Sequence, residues 1–244
     1  MIYEPITWAT ALIVFLGLLT RYALISGGAT LLLYKTNLKN KLAHLYVNKS
    51  VPGKKQIHHE IKYSLVSTLI FVGSSLIIVY GVQNGSVELY HNISDRGLAY
   101  YLGSIFAVFA IQDIYFYLIH RLLHTPWLYR HVHSVHHFSK NPTSLATFSA
   151  HPVEAIMQLG IVYFVYFLFP IHTSLLAIYP IGVTLINSAV HSGYEIYPKV
   201  FSTGFWAKWI VTPTFHIHHH QSNTHKNFGF ITQIWDNLWK TQKN

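Results

Sequence analysis

The chain reads as an all-α integral membrane protein with about four transmembrane helices, on three observations. Apolar residues make up 51% of it and charged residues only 10%, and its mean hydropathy is +0.30, so little polar chain is left to cover a water-soluble core. Apolar runs approaching the ~20 residues that cross a bilayer recur along the sequence. Seven lysines, Lys35, Lys39, Lys41, Lys49, Lys54, Lys55 and Lys62, lie between the first two runs or at the start of the second, where they act as a topology signal.

The first span covers roughly 6 to 34, with Arg21 interrupting it. Met1 to Thr20 lacks a basic leader and an Ala-x-Ala cleavage site, so it reads as a retained span rather than a signal peptide. The second and third spans cover 61 to 82 and 98 to 119. Two further runs, 153 to 169 and 172 to 190, are parted at Pro170. Each is near the lower limit of about 17 residues, so the pair forms either a hairpin that crosses and returns or a re-entrant hairpin. Both give the same sidedness. The positive-inside rule puts the lysine loop and everything after Arg121 in the cytoplasm, and the loop near 83 to 97 outside. A bacterial inner membrane or the endoplasmic reticulum fits that arrangement.

The remaining residues, 120 to 152 and 192 to 244, should form a cytoplasmic helical cap, so that 1 to 244 is a single domain. Pro126, Pro142, Pro152, Pro198 and Pro213 divide the cap into short pieces. Trp127, Tyr129, Trp206, Trp209, Trp235 and Trp239 flank the apolar spans as an interfacial belt. The net charge of +9 is accounted for by the lysine loop, and nucleic acid is not an expected partner. With no cysteine the chain can supply neither disulfides nor iron–sulfur or haem-attachment ligands, and no GxGxxG follows a strand.

The cap carries histidine at metal-binding spacings: His120 and His124 in HRLLH, His133, His136 and His137 in HSVHH, and His216, His219 and His220 in HIHHH. His191 stands apart from them. Helical residues three and four apart share a face, so each HxxHH triplet should converge on one ion. One ion with an open position needs about three protein ligands, so this supply suits two. A lone HxxxH is weak, but three clusters together are not. The chain has only eight carboxylates, and its one ExxH pair, Glu88 with His91, lies outside the cap, so histidine must carry the coordination. Imidazole suits iron and zinc alike.

DIYFYLIHRLLH at 113 to 124, HSVHH at 133 to 137, SAHPVEAI at 149 to 156, HSGYEIYP at 191 to 198 and HIHHH followed by NFGF and IWDNLW closely resemble the fatty acid hydroxylase superfamily, also called the sterol desaturase family. The resemblance covers about 98 to 240. It implies a membrane-bound, non-haem di-iron enzyme that uses O2 and two electrons to hydroxylate or desaturate C–H bonds of sterols, fatty acyl chains or alkylglycerols. It also implies two Fe ions, with Zn able to replace them during purification, and a separate ferredoxin, cytochrome or flavin reductase. The family signature maps onto the three clusters above, and a further family histidine matches His191.

Asn187 stands where some relatives carry another histidine; it either reaches a metal or is a hydrogen-bonded polar residue inside a span. His151 is either an extra ligand or a helix start before Pro152. His218 and His131 should face away from their triplets, His225 lies near the third cluster as a supporting residue, and His44, His58, His59, His91 and His172 read as solvent or interface residues. Asp113, Glu154, Glu195 and Asp236 are the carboxylates available to orient ligating imidazoles. An apolar cavity should open to the bilayer, with Tyr115, Phe116, Tyr163 and Phe164 as candidate walls. Hydroxylation and desaturation share one centre, and a membrane metal-binding or transport protein without redox chemistry is the reading from another class.

Overall fold

The computed structural model describes residues 6 to 222, except the side chain of Ser222, and residues 226 to 242; His225 lies outside them. Among the described residues three helices are long and apolar enough to cross a membrane: α1 (Trp8–Lys35), α2 (Lys54–Gln83) and α3 (Leu98–Leu123). Two shorter apolar helices, α5 (Pro152–Leu168) and α6 (Leu175–Val190), form a hairpin beside them. Between α3 and α5 lie the short helix α4 (Pro126–His131) and tight 3₁₀ turns at His133–Phe138 and Ser144–Phe148. The helices α7 (Pro213–Ser222) and α8 (Ile234–Leu238) follow the hairpin.

Helix α1 is not uniform. Thr7 caps its N-terminus, accepting a hydrogen bond from the Thr10 amide, and a π-helical turn occupies Ala23–Gly27. Leu12, Ile13, Leu16, Leu24 and Leu31 are exposed, as lipid-facing residues of a span would be. Pro152 opens α5 at the first turn, where a missing N–H costs nothing. Pro180 lies inside α6, and its own carbonyl accepts from Thr184 Oγ1 at 2.7 Å.

Strands did not enter the reading of the sequence, yet Leu89–Tyr90 pairs in parallel with Ile171–His172, in register Leu89 with Ile171 and Tyr90 with His172. This pair ties the turn of the α5–α6 hairpin to the connection between α2 and α3. An apolar core lies at that end of the molecule, where Ile78, Val87, Val108, Ile161, Val165, Ile171 and Leu175 are buried together.

The opposite end carries the lysine loop and the cap, held together by hydrogen bonds. Val47 N–H donates to Gly193 O, Glu195 N–H to Leu45 O, Asn48 Nδ2 to Pro142 O and Gln56 Nε2 to Asn141 O. The cap is less helical than its sequence suggests. Val132, at φ −122° and ψ −66°, ends α4, and HSVHH folds into a 3₁₀ turn. Backbone polar groups in this irregular stretch are met instead by a polar face of α2: Ser64 Oγ donates to Leu145 O and Ser67 Oγ to Ala150 O.

Candidate metal centre

Two groups of buried histidines face each other inside the cap. His120, His124, His133, His137 and His219 form one; His136, His191, His216 and His220 form the other, each with ligand nitrogens within 4.8 Å of one another. All nine sequence candidates are thus brought together, but not as the spacings suggest. Each HxxHH splits: His137 and His219 go to the five-histidine group, while His136, His216 and His220 go to the four-histidine group. Adjacent residues on a turn point about 100–120° apart, so a neighbouring pair addresses two centres rather than one.

The nitrogens meet at distances that an ion explains. His124 Nε2 lies 3.0 Å from His219 Nε2, which lies 3.1 Å from His137 Nε2. In the other group His191 Nε2 lies 3.0 Å from His216 Nε2, 3.2 Å from His220 Nε2 and 3.3 Å from His136 Nε2. Nitrogens about 2.05 Å from a shared ion are about 2.9 Å apart at a right angle and about 3.35 Å at the tetrahedral angle. The observed spacings fall within that range. A chain of neutral imidazoles would instead have to aim several lone pairs at one another.

For four of the nine histidines a hydrogen bond on the outer ring nitrogen explains how Nε2 comes to face inward. Nδ1–H of His120 donates to Phe228 O (2.9 Å), of His136 to Ser149 O (2.9 Å), of His191 to Asn187 O (2.8 Å) and of His219 to Lys226 O (2.6 Å). Glu154 Oε2 lies 2.9 Å from His133 Nδ1, both side chains being buried. The four hydrogen bonds to carbonyls select the tautomer with a bare Nε2, the form that binds a metal. Burial pushes His133 and His191 down to about 3, the second with help from His136. Burial also holds His136, His137, His216 and His220 below the ordinary histidine range, with neighbouring imidazoles adding to the effect. These six rings therefore favour the neutral form.

Of the four carboxylates, Glu154 touches a ligand-group histidine. Asp113 instead accepts from the amides of Ile231 (2.8 Å) and Thr232 (3.0 Å), from Thr232 Oγ1 and from Trp235 Nε1 (3.1 Å). Asp236 accepts from the amides of Phe228 (3.0 Å) and Gly229 (2.7 Å), and Glu195 from the amide and hydroxyl of Thr214 at the start of α7. Three carboxylates thus shape the backbone, and the backbone holds the rings. Nothing in the spacing of the sequence could have shown this, because the acceptors on His120, His136, His191 and His219 are carbonyls.

Asn187 uses its side chain to donate to Thr147 O at 2.7 Å, and its carbonyl to orient His191. His151 belongs to neither group; its Nδ1 accepts from the Val153 amide and caps α5. His218 is exposed and outside both groups, and His131 Nδ1 donates to Trp127 O. His59 is no solvent residue: its Nε2 donates to Val135 O within HSVHH at 2.8 Å.

A narrow cavity of about 20 Å³, room for one water-sized molecule, touches both groups. Its walls include Phe71, Phe116, Phe148 and Ala150 beside His120, His133, His136 and His191. Phe116 is the member of the expected aromatic set that lines it. Tyr115 instead donates to Met157 O between α3 and α5, and Phe164 is exposed.

Membrane-length helices beside two facing groups of buried histidines define a class of helical proteins built to bind metal. The chain belongs to the fatty acid hydroxylase family, also called the sterol desaturase family, whose model, "Fatty acid hydroxylase", matches residues 105 to 241. It is similar to a lathosterol oxidase of Rattus norvegicus, 29% identical over 189 residues that cover 76% of this chain and 60% of that protein. A Delta(7)-sterol 5(6)-desaturase of Gibberella zeae is 31% identical over 192 residues, 78% of this chain and 57% of that protein. A very-long-chain aldehyde decarbonylase of Oryza sativa is 54% identical over a shorter stretch of 52 residues, 21% of this chain and 19% of the other. The chain spans about 60% of the length of the two sterol-acting relatives. No solved structure matches it.

Proposed function

We propose that this protein is a membrane-bound di-iron oxidoreductase that hydroxylates a C–H bond of a lipid with O2 and two external electrons. The nine-histidine geometry carries this reading: nitrogens about 3 Å apart, bare of protons and deeply buried. His120, His124, His133, His137 and His219 would hold one iron, and His136, His191, His216 and His220 the other. Bound iron supplies O2 activation and removal of hydrogen from an unactivated C–H bond. The balance is C–H + O2 + two electrons + two protons giving C–OH + H2O.

The chain's own residues contribute positioning and exclusion of water. Carbonyls of Phe228, Ser149, Asn187 and Lys226 fix four of the rings, Glu154 lies against His133, and Phe71, Phe116 and Phe148 give the cavity an apolar part of its wall. The chain holds no cysteine and no dinucleotide motif, so a separate ferredoxin, cytochrome or flavin reductase would deliver electrons to the basic face. The hairpin turn pairs with the α2–α3 connection, which supports a hairpin that crosses fully and four spanning units in one domain. The lysine loop on the cap side supports a cytoplasmic centre, in a bacterial inner membrane or the endoplasmic reticulum.

Desaturation of a sterol or other lipid is the second reading, favoured by the named activity of the Gibberella zeae relative; it removes two hydrogens and releases two waters. The test is product analysis under ¹⁸O2 with reconstituted, iron-loaded protein. Label in a lipid hydroxyl supports hydroxylation, and an unlabelled new double bond supports desaturation. Absence of any O2-dependent lipid product with two irons bound overturns both.

A further inference from the structure

The first span carries a guanidinium that nothing in the metal centre uses. Arg21 lies 14 residues before Lys35, about 21 Å at 1.5 Å per residue, and a similar distance from Trp8. It therefore sits near the middle of an apolar helix, where a charged side chain is costly and usually functional. Its Nε is buried without a hydrogen-bond partner, and no acceptor among the described residues bonds its other nitrogens. Five donors with no acceptor are costly in hydrocarbon.

What Arg21 does meet is the wall of the cavity. Its Cζ lies 5.6 Å from the ring centroid of Phe148, which stands edge-on to Phe71 at 5.2 Å and stacks on Tyr22 at 5.6 Å. Phe148 and Phe71 both line the cavity that touches the two histidine groups. The π-helical turn Ala23–Gly27 begins two residues later, a feature that concentrates at functional sites. It carries Ser26, buried and bonded to Thr147 Oγ1 at 3.0 Å, so this part of α1 is docked on the residues just before Phe148.

We propose that Arg21 binds a hydrogen-bond-accepting oxygen of the lipid substrate, one phenyl ring beyond the metal cavity. The assignment rests on the lipid-oxidising reading above and narrows it: the substrate is an amphiphile with a hydroxyl, carbonyl or carboxylate oxygen remote from the carbon that reacts. A free amphiphile keeps such an oxygen at the interface. Arg21 supplies the donors that offset its dehydration in the bilayer interior, so the bound orientation is set by the protein rather than by partitioning.

Iron-loaded protein in lipid nanodiscs is titrated with radiolabelled octadecane, 1-octadecanol and octadecanoate, and with cholestane and its 3-hydroxy derivative. Wild type should retain at least one oxygenated ligand about tenfold more tightly than its hydrocarbon parent. Arg21→Met should remove that preference while holding the parent hydrocarbon and the two metals as before. Preference for the alcohol or for the carboxylate tells a neutral from an anionic oxygen. If the Met variant does not fold, Arg21→Gln, which keeps two donors without the charge, should lower the preference at least threefold. No preference in wild type, or an undiminished one in the folded variant, overturns the assignment. O2-dependent product formed in parallel keeps the two readings apart: product with an unchanged preference sinks Arg21 alone, whereas metal and ligand bound without any product sinks the oxidoreductase.

Discussion

At the scale of single residues, neighbours one position apart have opposite roles. His219 is buried with its Nε2 facing His124 and His137, whereas His218 is exposed. His218→Ala should therefore retain both metals and activity, and His219→Ala should lose metal from the five-histidine group; equal metal content in the two variants, measured by elemental analysis, would contradict the register. Glu154 gives the second residue-scale expectation. Its carboxyl oxygen lies 2.9 Å from His133 Nδ1, and removal of such an outer neighbour typically costs 10–100-fold in metal affinity. Glu154→Ala should show that loss and Glu154→Gln, which keeps an acceptor oxygen, a smaller one. Affinities that do not change would reduce Glu154 to a filler of space.

At the scale of elements, the site depends on a clasp between α3 and the chain that follows α7. Asp113 on α3 gathers four donors from Ile231, Thr232 and Trp235, and Asp236 on α8 gathers the amides of Phe228 and Gly229. Between them they hold the carbonyl that orients His120. Leaving a buried donor unpaired costs about 1–3 kcal/mol, so Asp113→Ala should destabilise the cap by more than one such group, with Asp113→Asn milder. Limited proteolysis should then cut the C-terminal segment before the helices, and metal content should fall with it. A variant that resists proteolysis as well as wild type would show that α7 and α8 are held from elsewhere. The clasp also shows why Asp113 looks like a ligand's partner in the sequence. It is a buried acid one helical face from His120, but its charge is met by backbone amides that sequence spacing does not reveal.

At the scale of the whole molecule, the centre joins α3, the 3₁₀ turn after α4, the end of α6 and α7, so metal and tertiary structure should be coupled. A ligand present at 100 times its dissociation constant stabilises the folded state by about 2.7 kcal/mol. Loaded protein should carry two metal equivalents per chain and melt above the chelated form. Saturation at one equivalent, or a melting temperature indifferent to chelation, would contradict a paired centre. The cavity provides a further expectation at this scale. Gly103 and Ala107, small residues of α3, face outward, so substitutions there should leave turnover unchanged. Ala150 is buried in the cavity wall, and Ala150→Leu, with the added carbons filling a water-sized space, should lower turnover with metal retained. Unaltered turnover would place the substrate elsewhere.

Much of this was legible in the one-dimensional pattern. Apolar runs long enough to span hydrocarbon mark α1, α2 and α3 because a bilayer imposes a length, and the breaks at Pro170 and Pro152 mark the hairpin because proline cannot continue a helix. The nine histidines declared themselves by type and clustering, since few other arrangements call for so many imidazoles in a cap with so few acids. Their division between two centres did not, because it depends on a 3₁₀ turn at HSVHH where a helix was expected and on which way adjacent side chains are aimed. Only the tertiary structure could decide that His136 and His137 part company, that Asn187 serves through its carbonyl, that His151 caps a helix, and that Arg21 stands behind Phe148. Each of these rests on backbone groups or on contacts between residues far apart in the chain, and neither leaves a periodic trace in the sequence.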